Sequence, residues 1–147
     1  MKFLAALASS AAKGRLINRM ERINRVVARV WTAENIGDMC AFPAFLTEER
    51  LDRLRLADAM VRRWTHSSGF DREVWQLPVV LIPFGIEGRP DSVVLRPIDS
   101  VDGMTASVVR MPKGLLDDIV RALSEIPGIA GVFYDLTNKP PATIEWE

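Results

Sequence analysis

The sequence predicts an α+β fold, a two-layer α/β sandwich with helices on one face of a mostly antiparallel sheet. Three observations point there. Two stretches, near 47–66 and 112–126, repeat apolar residues at helical spacing. Each is followed by short runs rich in Val, Ile and aromatic residues, bounded by Gly and Pro. From residue 47 the order is therefore helix, strand, strand, helix, strand, strand, and turn residues join the strands of each pair.

An N-terminal helix and strand precede that unit. Residues 3–22 are rich in helix formers, with Phe3, Leu4, Leu7, Leu16, Met20 and Ile23 recurring at helical spacing and Gly14 as a potential break. The opening "MKFLAALASSAAKG" also resembles a short secretory signal. Its apolar run is shorter than the usual signal core, which predicts an Ala-rich helix instead. "NRVVARVW" (24–31) is β-branched and predicts a strand, and the aperiodic "AENIGDMCAFPAF" (33–45) predicts a loop. The domain division is thus 1–35 as an N-terminal helix and strand, 36–46 as a linker, and 47–147 as the main domain.

Thr47 is placed to cap the first main helix, with Glu48 and Glu49 at the positive end of its dipole. Leu51, Leu54, Ala57, Val61 and Trp64 form its apolar stripe, and "HSSGFD" (66–71) ends it. "VWQLPVVLIPF" (74–84) and "SVVLRPI" (92–98) read as two strands across the hairpin connection "GIEGRPD". Pro78 has no N–H to give a ladder, which places the first strand at an edge or a bulge. "ASVVRM" (106–111) is a further extended piece. Pro112 suits the first turn of the second helix, whose stripe is Leu115, Leu116, Ile119, Leu123 and Ile126 before Pro127-Gly128 stop it. "IAGVFYDL" is read as a strand, "TNKPPA" as a rigid turn and "TIEWE" as a last strand.

A faint internal echo runs between "RINRVVARV" (22–30) and "GIAGVFYDL" (128–136). It aligns Ile23 with Ile129 and Val26 with Val132. On that reading residues 1–35 are the stub of a preceding repeat.

Composition narrows the function classes. At 147 residues, 48% hydrophobic and 26% charged, the chain has enough apolar residues to bury a core. Its 19 basic and 19 acidic side chains cancel, so no overall field attracts nucleic acid or an anionic membrane. No run approaches the ~20 apolar residues of a membrane helix. The single Cys40 cannot form an internal disulfide, which fits a reducing, cytoplasmic compartment.

Several motifs fail on context. "SSGFD" (67–71) is close to a phosphate loop, but it follows a helix and precedes a strand, the reverse of what aims backbone N–H groups at phosphate. "GIAG" (128–131) has the spacing of an RNA-clamping Gly-x-x-Gly but joins a helix to a strand. His66 and Cys40 lack a third orienting group for nucleophilic catalysis, and the chain has too few N and S ligands for zinc. Trp31, Trp64, Trp75 and Trp146 read as core and interface anchors. No catalytic residue is assigned, and the chain is not a self-sufficient enzyme.

The C-terminal "YDLTNKPPATIEWE" resembles the extreme C-terminus of GMP synthetase, the ATP-dependent, glutamine-hydrolysing ligase that aminates xanthosine monophosphate (XMP) to GMP in purine biosynthesis. "VVLRPIDSVDGMTA" (93–106), "LTEERLDRLRLADAMVRRW" and "VWQLPVVL" are also similar to stretches of that family's C-terminal domain. "INRMERINRVVARVW" resembles the strand closing the first copy of this unit in long members, which carry two. "CAFPAFL" stands where the family has Phe-Pro-Gly-Pro-Gly.

The resemblance implies a domain that dimerises and supplies part of an XMP pocket. It implies Lys139 at the nucleotide monophosphate, Glu145 at sugar hydroxyls or purine, and the strand glutamine Gln76 at the same ligand. ATP and magnesium belong to a separate pyrophosphatase domain, so no cofactor is expected on this chain. The expected partners are XMP or GMP, a second copy, and a separately encoded ATP pyrophosphatase subunit. The family arginine eight residues before the tail lysine is Gly131 here, and its counterpart in the internal echo is Arg25. Losing one charge-assisted contact costs ~1.5–3 kcal/mol. The alternative function is a non-catalytic dimerisation or regulatory module that retains the fold.

Overall fold

A computed structural model describes residues 4–5 and 24–146 of the chain. β1 (Leu4–Ala5), β2 (Val26–Thr32) and β3 (Cys40–Ala41) precede the long helix α1 (Glu48–Ser68). β4 (Val79–Ile82), β5 (Phe84–Gly85) and β6 (Asp91–Leu95) follow. Then come the hairpin of β7 (Ile98–Asp99) and β8 (Ser107–Val108), helix α2 (Lys113–Ser124) and β9 (Ile129–Asp135).

The main sheet has the order β1-β2-β9-β6-β4, with β3–β5 and β7–β8 as two small accessory sheets. Four pairings are antiparallel and two are parallel, which gives the expected α+β sandwich. The parallel β6–β9 pair lies at the centre. It is parallel because the chain between the two strands crosses over through the β7–β8 hairpin and α2, which a tight turn could not do. Pro78 leads into β4, which is an edge strand, as its missing N–H requires.

The helices end where their sequence says. Thr47 Oγ1 accepts from the Arg50 N–H at the start of α1, and Gly69 closes it with φ +80°, a conformation costly for residues with a Cβ. Ala57 and Val61 from α1 meet Leu115, Ile119 and Leu123 from α2 over Val93, Leu95, Val132 and Tyr134 of the sheet. The alternate residues Val94 and Phe133 point to the other face, against Val27, Met39 and Ile82. Every residue of β6 and β9 is buried, so the strand pattern is continuous rather than alternating.

A buried ion cluster fixes α1 to the sheet. Asp91, 1% exposed at its side chain, receives Arg50 at 2.9 Å and Arg53 at 2.5 Å, and Arg53 Nε also donates to the Pro127 carbonyl at 2.9 Å. Gly85 is required by close approach: a Cβ there would lie 2.1 Å from the Arg89 carbonyl oxygen.

Three expectations are corrected. "TIEWE" is not a strand: residues 143–146 are irregular, because Pro140 and Pro141 carry no N–H and the following carbonyls bond to arginine side chains instead of a neighbouring strand. The expected strand 74–84 is shorter, a single bridge at Gln76 followed by β4 and β5, with Pro83 between them. Leu4 and Ala5 are strand rather than helix, since β2 offers them a ladder; the rest of the expected opening helix lies outside the described residues.

Candidate functional site

The C-terminal tail is held down by two buried arginines that share one carboxylate. β9 ends at Asp135, whose Oδ2 accepts from Arg25 Nη1 at 2.8 Å and from Arg96 Nη1 at 2.7 Å. None of the three side chains is exposed. The other carboxylate oxygen accepts from the Thr137 N–H at 2.8 Å, which turns the chain out of the strand. Two cations beside one anion leave a positive surplus, and tail carbonyls offset it. Arg96 donates to the carbonyls of Thr137 (2.9 Å), Thr143 (2.7 Å) and Ile144 (3.1 Å). Arg25 donates to Thr143 Oγ1 at 3.0 Å and to the Glu145 carbonyl, with its guanidinium carbon 4.6 Å from the Trp146 ring centroid. Burial pulls the Arg96 pKa below its ordinary value; Asp135 opposes that shift and Arg25 adds to it.

Each of these arginines extends a β-branched strand run. A charge between "VVL" and "PI", or at the head of "VVARV", costs several kcal/mol to bury unless it is paired. That cost was the legible signal that a partner such as the Asp of "FYDL" lay within reach. The pairing itself, across 110 residues for Arg25, was not legible.

Of the residues that the resemblance implies at the ligand, Lys139 and Glu145 lie on the clamped tail and Gln76 does not. Lys139 pairs through its backbone with Ala106, and its ammonium donates to the Gly103 carbonyl at 2.7 Å, closing the loop at the tip of the β7–β8 hairpin. In that loop Asp102 accepts from the Thr105 and Met104 N–H groups, and these bonds hold its carboxyl below the usual range. Glu145 is exposed on the same tail, and no ion pair joins it to Lys139 among the described residues. Gln76 pairs with Ile98 at the opposite edge of the hairpin. Its side chain lines a cavity of about 550 Å³ under the end of α1, bordered by Arg62, His66, Asp71 and Trp75. The structure therefore gathers Lys139 and Glu145 on one tail, with the β7–β8 hairpin between Lys139 and Gln76.

The discarded motifs find structural roles. His66 Nδ1 lies 2.8 Å from Asp71, whose carboxyl that hydrogen bond holds below its usual range, while Cys40 is in β3 against Gly85. Gly69 of "SSGFD" is the helix stop, and Gly128 of "GIAG" turns into β9 at φ +86°. Gly131 is packed in β9: a Cβ there would meet Phe133 and Ser92 at 3.0 Å, so the position has no room for a longer side chain without displacing them.

A family profile described as the GMP synthase C terminal domain matches residues 63–146. The chain belongs to the GMP synthase C-terminal domain family. Among relatives, a probable GMP synthase (glutamine-hydrolyzing) of Leptospira interrogans is 40% identical over 133 residues, 90% of this chain and 22% of the relative. GMP synthases (glutamine-hydrolyzing) of Nitratidesulfovibrio vulgaris and Leifsonia xyli are each 46% identical over 69% of this chain, covering 21% and 22% of their own lengths. The chain thus spans about a fifth of the curated relatives it matches. Within the GMP synthase C-terminal domain, the clamped tail, the hairpin loop closed by Lys139 and the Gln76 bridge all fall inside the matched residues.

Proposed function

We propose that the chain is the XMP-binding portion of a GMP synthase, working with a separately encoded ATP pyrophosphatase that carries ATP, magnesium and the ligase chemistry. The observation that supports this reading is the fixed tail. Buried guanidiniums hold the carbonyls of Thr143, Ile144 and Glu145, so Lys139 and Glu145 project from an ordered backbone. A ligand meeting such groups loses little of its binding energy to ordering them. Lys139 exchanges the Gly103 carbonyl for a phosphate oxygen, a stronger charge-assisted bond. Glu145 accepts from ribose or purine donors, and Gln76 both donates and accepts. Arg25 and Arg96 are the arginines at this tail, and residue 131 is a glycine. A reducing, cytoplasmic setting belongs to the same reading, since Cys40 is an exposed free thiol.

Titration of XMP into the purified chain by calorimetry tests this. Saturable binding that Lys139→Ala weakens tenfold or more supports it. Absence of binding, alone and with a pyrophosphatase partner, leaves the second reading, a non-catalytic dimerisation or regulatory module. One observation favours that alternative: the Lys139 ammonium already has a structural partner in Gly103. A self-associating role is expected for either reading.

A further inference from the structure

The loop that Lys139 closes has a second neighbour. Gly103, whose carbonyl takes the Lys139 ammonium at 2.7 Å, stands with φ +68° in the β7–β8 hairpin loop. Apart from its chain neighbours, a Cβ built on Gly103 would meet a single heavy atom within 4 Å, the Cη2 of the Trp75 ring at 3.8 Å. The space over Gly103 is therefore open, with an ammonium at its carbonyl and an indole beside it.

Trp75 is held so that it presents this ring. Its N–H donates to the Ile98 carbonyl at 2.9 Å, and Gln76 and Ile98 exchange both backbone bonds, at 3.2 and 2.9 Å. The indole side chain leaves Trp75 45% exposed, and it lines the cavity of about 550 Å³ together with Gln76, Arg62 and His66. The polar groups there have bonding capacity to spare. The Gln76 amide has no partner among the described residues. Arg62 gives Nε to Asp58 at 2.6 Å and keeps its terminal nitrogens. Asp71 lies 2.8 Å from His66 Nδ1, which leaves Nε2 for another partner. A concave site with one aromatic wall and a few convergent polar groups has the make-up of a small-molecule pocket.

We infer that Trp75 is the stacking platform for the purine of the nucleotide, with Gln76 at the edge of the base and the sugar spanning the open loop at Gly103. This rests on the nucleotide reading above and adds the place of the base to it. An indole already fixed by its backbone and by the loop takes a planar ring with little left to order. The neighbouring polar groups select among bases. Xanthine is the most acidic of the common purines and carries part of a negative charge in its ring at neutral pH. The Arg62 guanidinium beside the cavity favours such a ring over adenine.

The test titrates XMP into the parent, Trp75→Phe and Trp75→Ala, alone and with the pyrophosphatase partner, and follows amide exchange of residues 100–105 in each. Trp75→Phe is expected to bind within about threefold of the parent. Trp75→Ala is expected to bind about tenfold or more weakly, with the loop exchanging as in the parent. XMP is expected to quench the tryptophan emission of the parent and not that of Trp75→Phe. Parent-like affinity in Trp75→Ala, or a quench that survives in Trp75→Phe, overturns the inference and leaves the nucleotide reading standing. So does an equal loss in both variants with quickened loop exchange, which makes the indole a brace for Gly103 alone. Equal affinity of the parent for XMP and AMP also overturns it. No binding of XMP to the parent overturns the inference and the nucleotide reading together.

Discussion

Arg96 and Asp135 meet at 2.7 Å with neither side chain exposed, and Arg25 reaches the same carboxylate oxygen from the residue before β2. One carboxylate thereby ties three parts of the chain: the entry to β2, the end of β6 and the C-terminal tail. Asp135→Asn removes the countercharge and leaves two buried cations. The expected loss is about 3–5 kcal/mol. It is read as a lower urea midpoint at unchanged slope.

Arg25→Ala keeps Arg96 on Asp135 but releases the Glu145 carbonyl and the face of Trp146. The tail after residue 142 is expected to loosen while the sheet persists. Carboxypeptidase digestion becomes faster, and the tryptophan emission shifts to the red. The same substitution in a Trp146→Phe background shows no such shift, which assigns it to Trp146.

Tyr134 is the only tyrosine, so its ionisation is read directly by ultraviolet titration. Its hydroxyl donates to the Val109 carbonyl at 2.6 Å and accepts from the Met111 N–H at 2.9 Å. Burial pushes its pKa up to about 12 from the ordinary 10. With the folded value above the unfolded one, its contribution is complete below pH 10. It is lost as the pH rises to 12, because the unfolded phenol ionises first. The expected alkaline loss is about 2–3 kcal/mol. It is absent in Tyr134→Phe.

Asp91→Ala leaves Arg50 and Arg53 without their carboxylate at the start of β6. A loss of about 3 kcal/mol is expected, somewhat eased by the partial exposure of Arg50. Arg53→Lys keeps the charge but not the fork that reaches both Asp91 and Pro127. Its expected cost is smaller, about 1 kcal/mol, by thermal or urea melting.

Lys139→Met removes the bond to Gly103 and keeps most of the side-chain bulk. Exchange of the amides in residues 100–105 is expected to quicken several-fold, with global stability changed by about 1 kcal/mol or less. A pocket lysine with no structural role would leave that loop unchanged.

Local chemistry was readable from the sequence alone: the N-cap of α1, its stop within residues 66–71, the α2 stripe, and a first strand that Pro78 places at an edge or a bulge. These depend on neighbours within a few residues, which a linear reading contains. The tail is legible as a braced segment and as a family signature, yet its alternating residues predict a strand that does not form. Its prolines pointed away from a ladder, but nothing local named what would hold it instead.

What the sequence by itself determined is the set of elements, their apolar faces and the family to which the last hundred residues belong. Only the tertiary structure decided that β6 and β9 lie parallel, that Arg25 and Arg96 converge on Asp135, and that β2 occupies the edge of β9. Periodicity and propensity act over one or two turns of chain, whereas a buried charge finds its partner wherever the fold brings one. Which partner that is depends on the packing of the whole sheet.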